Sequence, residues 1–289
     1  MANLKEIRIR ITSVNSTKQI TQAMKMVSAS KLKRAQRAIE QMRPYSEKLS
    51  KIIQNVSSNA GETESVYSKE SENKRVLIVA ISSNRGLCGA FNANVGKKVN
   101  HLIQKNRNAD VSVFAIGKKA NDALKGKHKD HLENFPENPH GVFDDLNFEN
   151  VSIIAEEIMK AYREGTFDQV ILVYNSFKNA GVQILKEEQF LPIELNLDSA
   201  ITNTDYIFEP NEEEILEDLI PNSLKVQLFK ALLDSFAAEH GARMTAMHKA
   251  TDNAEELIKT LKLTYNKLRQ ASITNEILEI VSGAEALAG

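Results

Sequence analysis

The last third of this sequence carries an apolar seam that a second helix would have to cover. Small or apolar residues recur there at alternating steps of three and four, which is the heptad spacing of a coiled coil. The positions are Met247, Ala250, Ala254, Leu257, Leu261, Thr264, Leu268, Ala271, Asn275 and Leu278. The same frame continues backward to about residue 215, so the predicted helix is far longer than an average one of about 11–12 residues.

A second long helical pattern opens the chain. Its seam comprises Leu4, Ile7, Ile11 and Val14, and later Ala35, Ile39, Met42, Leu49, Ile53 and Val56. Ile20, Ala23, Met24 and Val27 lie between these two stretches and out of phase with them, which predicts a local change of supercoil. Pro44 lies inside the pattern and predicts a kink, because proline removes a helical hydrogen bond.

The middle of the chain changes from helical periodicity to short strands that alternate with helices. Residues 75–81 form a continuous apolar run, as expected of a strand buried on both faces. Further strands are predicted at 111–116, at 169–174 and, at a sheet edge, at 182–190. This alternation predicts a mostly parallel, Rossmann-like sheet with helices on its faces.

The predicted fold class is therefore α/β, with a long antiparallel two-helix coiled coil formed by the two termini. We expect an N-terminal coiled-coil helix at 1–57, a central α/β domain at 75–195 and a C-terminal coiled-coil helix at 209–287. The C-terminal helix should extend beyond its mate because it is the longer of the two. Pro221 is expected to delay the start of the regular helix by a turn or more.

Composition excludes several classes of protein. The chain has 37 basic and 38 acidic residues, so its overall charge does not suggest a nucleic-acid or membrane partner. No apolar run reaches the ~20 residues of a membrane span, and the first residues lack the apolar core of a secretion signal. Its single cysteine, Cys88, cannot form an internal disulfide. We expect a folded, soluble protein from a reducing compartment.

Three features suggest chemistry, and each has a simpler explanation. Gly86 and Gly89 follow the first strand, but their spacing fits neither dinucleotide-binding nor P-loop motifs, so a tight turn is favoured over a nucleotide site. His128, His131 and His140 lack a second organised ligand cluster and are interpreted as loop histidines. Cys88 is interpreted as a packed small residue. The sequence thus predicts no catalytic residue, cofactor or metal.

Residues 1–51 contain 12 basic and 3 acidic residues, so the first helix is strongly basic. Such a helix could bind nucleic acid through Lys31, Lys33, Arg34 and Arg37. Only one aromatic residue, Tyr45, precedes residue 51, which leaves little scope for base stacking. A basic coiled-coil adaptor for nucleic acid and a nucleotide-dependent enzyme with a helical arm remain the two alternative functions, while an acidic protein surface is a third possible partner.

Both termini resemble the gamma subunit family of F-type ATP synthases. The matching motifs lie in residues 7–32, 242–253 and 265–284, together with the segment Ser83 to Gly89 that follows the first strand. This resemblance covers essentially the whole chain. It implies a non-catalytic rotor shaft that couples rotation of the c-ring to ATP synthesis or hydrolysis in the beta subunits.

The resemblance also implies partners and a location. One copy per complex would bind the alpha and beta subunits of the catalytic hexamer, the epsilon subunit and the c-ring. It would be a peripheral membrane protein at the cytoplasmic face of the bacterial cell membrane, with no nucleic-acid partner. The family's redox-switched cysteine pair, known from the plant chloroplast form, has no counterpart here.

Family positions that contact partners can be transferred to this sequence. The implied beta-subunit contacts are Met24, Lys25, Lys31, Lys33, Arg34, Arg269, Gln270 and Thr274. The implied contacts with the c-ring and epsilon are Tyr206, Phe208 and Glu209. A tail from Val281 to Ala288 with Glu285 as its only charge suits rotation in an apolar sleeve.

Overall fold

A computed structural model describes residues 4–59, 66–67, 75–125, 135–136, 138–193 and 212–288 of the chain. Two long helices enclose, in sequence, a small α/β block. The elements are α1 (Leu4–Asn59), β1 (Arg75–Ile81), α2 (Phe91–Lys105), β2 (Asp110–Ile116), α3 (Lys118–Leu124), a 3-10 helix (Pro139–Phe143), α4 (Phe148–Arg163), β3 (Gln169–Asn179), β4 (Val182–Leu191) and α5 (Glu212–Ala288).

The sheet has the strand order β2-β1-β3-β4. β1 pairs in parallel with both β2 and β3, whereas β3 and β4 form an antiparallel hairpin. The predicted, mostly parallel sheet is therefore confirmed, and β4 lies at an edge as expected. Gly117 ends β2 with φ +122°, and a Cβ there would lie 2.3 Å from the Ser82 carbonyl oxygen, so this turn requires glycine.

The core of the sheet lies on both of its faces. Leu77, Val79 and Ile81 of β1 pack with residues of α4 and α5. The alternate residues Val76 and Ile78 pack with residues of α2 and α3 on the other face. This two-sided burial explains why β1 is apolar at every position, since each side chain that points away from one layer meets the other.

The chain divides into two compact units. The terminal unit comprises Met1–Ser28 and Met244–Gly289, and the sheet unit comprises Ala29–Arg243. The sheet unit contains all four strands together with the later part of α1 and the earlier part of α5. Among the described residues, no helix is both long enough and apolar enough to cross a bilayer.

The buried face of α1 keeps a regular heptad spacing in each unit, so the predicted change of supercoil is wrong. In the terminal unit the least exposed positions continue from Val14 through the polar residues Thr21 and Ser28. Ile20 and Val27 are instead 60% and 57% exposed. The apolar pattern of the sequence did not predict the seam here, because polar side chains occupy buried positions in it. In the sheet unit Leu32, Ala35, Ile39, Leu49 and Ile53 are buried as the heptad requires.

The seam predicted on α5 is correct at Met247, Ala250 and Ala254, but only at every second position over 254–271. Ala254 is buried and Leu261 and Leu268 are half-buried, whereas the predicted positions Leu257, Thr264 and Ala271 are exposed. The seam instead uses the next residues along the helix, Ile258, Tyr265 and Ser272, which are half-buried. Each of these pairs offers two side chains able to pack, so steps of three and four were interchangeable in the sequence.

The two internal prolines lie within helices. α1 continues through Pro44, and the kink predicted there stays a prediction. α5 begins at Glu212 and contains Pro221, so the expected delay of the helix start is wrong. The start near residue 210 agrees with the prediction, while the proposed cap Asn211 lies outside the described residues.

Candidate functional site

The terminal unit is an antiparallel pair of helices joined by polar contacts as well as apolar ones. Lys18 Nζ lies 3.3 Å from Glu255 Oε2, and the hydroxyls of Thr21 and Thr251 are 2.9 Å apart. Lys25 Nζ lies 3.3 Å from His248 Nδ1. Residue numbers rise along α1 while those of its partners fall along α5, so the predicted antiparallel pairing is confirmed in this unit.

The outward side of α1 in this unit carries an apolar stripe. Ile9, Ile20 and Val27 are each more than half exposed. Their spacings of eleven and seven residues place them on one side of a helix with 3.6 residues per turn. Sequence analysis placed Ile20 and Val27 out of phase with the seam, interpreted them as a change of supercoil, and did not single out Ile9. An exposed apolar stripe of this kind marks a surface that another molecule can cover.

The end of α5 is a second exposed surface. Arg269, Gln270 and Thr274, the predicted beta-subunit contacts, are all exposed on α5. Thr274 donates a hydrogen bond only to the backbone carbonyl of Gln270, at 2.9 Å. Beyond them, all residues of 273–286 are exposed, as predicted for a helix that extends past its mate. The large apolar side chains there are Ile273, Ile277, Leu278, Ile280 and Val281.

The predicted basic contacts on α1 differ in their surroundings. Met24 and Lys25 are half-buried in the terminal unit, and Lys25 lies against His248. In the sheet unit, Lys33 and Arg34 are exposed and line a shallow basic cavity together with Ser30 and Arg37. These four predicted contacts and a fifth, Lys31, lie on α1.

Lys31 is also exposed, but its charge acts on a buried group of α5. Burial raises the pKa of Glu239 and lowers that of His240; the charge of Lys31 opposes the first shift and adds to the second. Lys31 therefore has an electrostatic role inside this chain in addition to any contact with a partner.

The predicted contacts with the c-ring and epsilon lie outside the described residues; they are Tyr206, Phe208 and Glu209. The loop histidines His128 and His131 also lie outside them.

The segment after β1 is held by a buried guanidinium. Arg243 donates hydrogen bonds to the backbone carbonyls of Arg85, at 2.8 Å, and Gly86, at 3.2 and 3.3 Å. It also forms an ion pair with Glu239, one helical turn earlier, and both side chains are less than a tenth exposed. Sequence analysis placed Arg243 on the α5 seam but missed this role, because its partners are backbone atoms far away in the chain.

This arrangement presents Leu87 to solvent. Leu87 has φ +63° and is 63% exposed, an unusual backbone conformation for a residue with a Cβ. The segment is fixed on one side by Arg243 and on the other by Asn92, whose side-chain carbonyl accepts a hydrogen bond from the Ser83 amide at 3.1 Å. A strained, exposed apolar tip on a rigid base is a candidate contact point.

Burial shifts the pKa values of three titratable groups around this segment, Cys88, Glu239 and His240. Burial raises the pKa of the Cys88 thiol, and Cys88 is 1% exposed, so it is a packed small residue rather than an activated nucleophile. Burial lowers the pKa of His240 to about 3. Burial also raises the pKa of Glu239 although Arg243 opposes that shift.

His140 helps to close the turn at the end of β2. Its Nδ1 accepts a hydrogen bond from the Gly117 amide at 3.2 Å, and its carbonyl accepts one from Asn84 at 2.9 Å. Within the described ranges, no three His, Cys, Asp or Glu side chains are grouped so that they could hold a metal ion.

Comparison with known proteins identifies the family. The model of a family described as ATP synthase matches residues 3–287. The chain is 60% identical to the ATP synthase gamma chain of Christiangramia forsetii, with 100% of both chains covered. It is 58% identical to that of Flavobacterium johnsoniae, again over 100% of both. It is 52% identical to that of Cytophaga hutchinsonii over 99% of both.

Solved structures agree with this. The central stalk and c-ring of the Tetrahymena thermophila mitochondrial ATP synthase contain a chain that is 28% identical, with a TM-score of 0.58 over 80% of this chain and 99% of that one. A chain of the Euglena gracilis mitochondrial ATP synthase shares the fold at 22% identity, with a TM-score of 0.69 over 98% and 94% of the two chains. The predicted fold class is therefore confirmed, and this chain belongs to the ATP synthase gamma chain family.

Proposed function

We propose that this chain is the rotor shaft in the central stalk of a proton-translocating F-type ATP synthase, coupling rotation of the c-ring to ATP synthesis or hydrolysis in the beta subunits. Full-length identity to ATP synthase gamma chains supports this assignment. The observation within the molecule that carries it is the exposed end of α5, where all residues of 273–286 are uncovered and five large apolar side chains between Ile273 and Val281 face solvent. Such a surface is suited to turning inside an apolar sleeve.

In this proposal the chain transmits force and contributes no catalytic residue. Its partners are the alpha and beta subunits, the epsilon subunit and the c-ring, with one copy in each complex. It reaches the cytoplasmic face of the bacterial membrane only through those partners. The division into 1–57, 75–195 and 209–287 follows these roles: the two terminal segments form the shaft, and the middle segment contacts the membrane side of the rotor.

The proposed beta-subunit contacts use two kinds of surface. Lys33 and Arg34 belong to a basic group on α1 that can face acidic loops, and such charge contacts can slide because they do not depend on interlocking shapes. Arg269 and Gln270 are exposed near the end of α5 and can hydrogen-bond to a loop of the hexamer. Tyr206, Phe208 and Glu209 remain the proposed contacts with the c-ring and epsilon.

Force transmission requires contacts that differ between the conformations of the beta subunits. A partner that contacts every state equally shifts none of them. The outward sides of α1 and α5 differ in the terminal unit, because α1 carries the stripe of Ile9, Ile20 and Val27 while the α5 end mixes five large apolar side chains with Glu276, Glu279 and Glu285. This asymmetry allows the shaft to favour a different beta subunit at each angle. The two alternatives from sequence, a nucleotide-dependent enzyme and a nucleic-acid adaptor, do not account for the family match.

The test is direct observation of rotation. The chain is reconstituted with the alpha and beta subunits of the same organism, a probe is attached at Lys97 after its replacement by cysteine, and Cys88 is left in place because it is buried. Rotation of the probe during ATP hydrolysis is the expected result. Hydrolysis at the normal rate while the probe stays still would contradict the proposal.

The contact residues are tested in the same assembly. Arg269→Ala combined with Gln270→Ala should lower the rate of hydrolysis and the torque, because it removes polar contacts that only the assembled hexamer uses. Lys33→Glu combined with Arg34→Glu should weaken the complex most at low salt, since exposed charge contacts are screened at high salt. The matched control is Lys97→Glu on α2, an exposed charge outside both surfaces. Equal effects from all three changes would show that the contacts are misassigned.

A further inference from the structure

An open cavity in the sheet unit collects cationic side chains from three different elements. The cavity has a volume of about 260 Å³. Arg43 comes from α1, Lys186 from β4 and Lys230 from α5. The remaining lining residues are Ile39, Met42, Ser46, Ser176, Leu233 and Asp234. None of the three cations belongs to the surfaces assigned to partner contacts above.

One buried carboxylate does not explain three cations. Asp234 is 7% exposed and accepts a hydrogen bond from the Ser176 hydroxyl at 2.9 Å. Among the described residues, no ion pair within 4.0 Å involves Arg43, Lys186 or Lys230. Elsewhere in the unit, cations near carboxylates do pair closely, for example Lys98 and Glu187 at 2.7 Å. Burial raises the pKa of Asp234 and all three cations oppose that rise, but none of them forms a close ion pair with it.

We propose that this cavity binds a phosphate-type dianion, either inorganic phosphate or the phosphate group of a small phosphomonoester. Three cations face a single carboxylate in this cavity, so its lining carries a net positive charge that a dianion can offset. The hydroxyls of Ser46 and Ser176 line the same cavity and can donate hydrogen bonds to phosphate oxygens. Cationic side chains with added hydroxyl donors are a common way of holding phosphate.

Size limits the ligand. Drug-sized ligands occupy pockets of about 300–1,000 Å³, so a cavity of about 260 Å³ suits a small ion or a short ester rather than a nucleotide. Ile39, Met42 and Leu233 supply an apolar wall against which a short carbon chain could lie. The site is thus compatible with both sources of the phosphate group.

A bound dianion would link α1, β4 and α5 through one ligand. These elements belong to the same unit but are far apart in sequence. A ligand that binds the folded state alone raises stability in proportion to the logarithm of its concentration above the dissociation constant. Binding should therefore raise the unfolding temperature of the sheet unit and slow hydrogen exchange in β4 and in the Ser176 region of β3.

The test is calorimetric titration of the full chain at low salt with inorganic phosphate and, separately, with glycerol 3-phosphate. We expect saturable binding of at least one probe, weakened at least about tenfold by Lys186→Gln and by Arg43→Gln, since each charge-assisted hydrogen bond contributes on that scale. Lys186→Arg should retain most of the binding because it keeps the charge. The ratio of the two affinities assigns the natural source, with the tighter probe indicating a free ion or an ester.

The control variant is Lys97→Gln, an exposed lysine on α2 in the same unit but outside the cavity. It should bind both probes as the parent chain does. Unfolding curves of all variants without ligand check that the fold is intact. No saturable binding of either probe by the correctly folded parent at millimolar concentration would overturn the proposal. Binding that persists unchanged in Lys186→Gln and Arg43→Gln would overturn it equally.

Discussion

The sheet unit and the terminal unit are stabilised in different ways. In the sheet unit, every residue from Val76 to Ile81 has 0% exposure, and helices cover both faces of that strand. In the terminal unit, the buried positions of α1 include Thr21 and Ser28, at 8% and 2% exposure. The first unit removes a continuous apolar core from water, whereas the second buries a narrower seam that is partly polar.

The terminal unit also differs from the sheet core in having large apolar side chains that are exposed to solvent. Leu263 is 64% exposed and Ile280 is 71% exposed, although each could contribute about 1.5–3 kcal/mol if it were fully buried. A helix pair with uncovered apolar side chains and a polar seam would gain stability from a partner that covers those side chains. This is the behaviour expected of a shaft that works inside a sleeve, and the following predictions test the contrast between the units.

The largest effect is expected from Arg243→Ala in the sheet unit. The change leaves the buried carboxylate of Glu239 without its ion pair and the carbonyls of Arg85 and Gly86 without their donors. Breaking a buried pair on one side costs about 3–5 kcal/mol. Hydrogen exchange of residues 82–90 and the free energy of unfolding of the sheet unit measure the loss.

The double variant Arg243→Met and Glu239→Gln is the control for Arg243→Ala. It removes both charges, so it should recover a large part of the lost stability. If the double variant is as unstable as Arg243→Ala, the cost comes from the unsatisfied carbonyls of the loop rather than from the orphaned carboxylate.

The same substitution in the two units gives the next largest effect. Leu77→Ala removes a side chain with 0% exposure from the sheet core and should cost about 2–5 kcal/mol. Leu263→Ala removes one that is 64% exposed on α5 and should change stability by less than about 0.5 kcal/mol. Hydrogen exchange resolves each unit separately. A large loss of stability at Leu263 in the isolated chain would refute the idea that this apolar side chain awaits a partner.

Sequence predicted the sheet unit well because its signals are local. A continuous apolar run of strand length, such as Val76 to Ile81, predicts a strand that is covered on both faces. The mixed polarity of β4 is typical of a strand at a sheet edge. The long helices were also predicted, with a start near residue 210 for α5. Their seams were predicted in part: Ala35 and Ile39 are buried as expected, whereas the buried Thr21 was missed because it is polar and its exposed neighbour Ile20 is apolar.

Some features of the candidate site could also be predicted from the sequence, and others could not. Residues near the end of α5, such as Arg269 and Gln270, are exposed as a contact surface requires, but their roles as contacts stay predictions. The network of Arg243 with Glu239 and the carbonyl of Gly86 could not be predicted, since it depends on long-range contacts between α5 and the loop after β1. The cationic cavity, which joins Arg43 to Lys230, was missed for the same reason.

The pH dependence of the sheet unit provides a prediction of intermediate size. Burial lowers the pKa of His240 from 6.5 to about 3, so between these values the unfolded chain binds a proton that the folded chain does not. Stability from this group is complete above the unfolded pKa and is lost as pH falls, by up to about 1.4 kcal/mol per pH unit. His240→Leu should remove this part of the slope. Urea unfolding at several pH values between about 5 and 7 measures it.

The difference between His240→Leu and the parent chain is the informative quantity. Glu239 and Asp234 have pKa values raised by burial, so they favour the folded state as pH falls and act in the opposite direction. Subtracting the two pH profiles cancels their contribution if the neighbouring geometry is unchanged. Parallel profiles for the two chains would mean that the imidazole is protonated in the folded state, against its buried position.

A smaller effect is expected within the seam of the terminal unit. Thr21→Val keeps the shape of the side chain but removes the 2.9 Å hydrogen bond to Thr251, at a cost of about 1 kcal/mol. The matched control is Thr17→Val, because Thr17 is exposed and its hydroxyl bonds only to Ser13 of its own helix. The Thr251 hydroxyl still donates to the Met247 carbonyl, at 2.8 Å, in this variant, so adding Thr251→Val should not recover the loss. Hydrogen exchange of 14–28 reports the result.

The smallest effect is expected at the surface of the same unit. Lys18 and Glu255 are 3.3 Å apart, with side chains 29% and 51% exposed, and such pairs contribute about 0.2–1 kcal/mol. Lys18→Gln should therefore cost less than Thr21→Val, and the cost should disappear at about 1 M salt, where charges are screened within about 3 Å. Thr21→Val should be insensitive to salt because the bond it removes is neutral. If Lys18→Gln proves the more damaging of the two, charge rather than the polar seam holds the helices together, and the contrast between the two units would then depend on ionic strength.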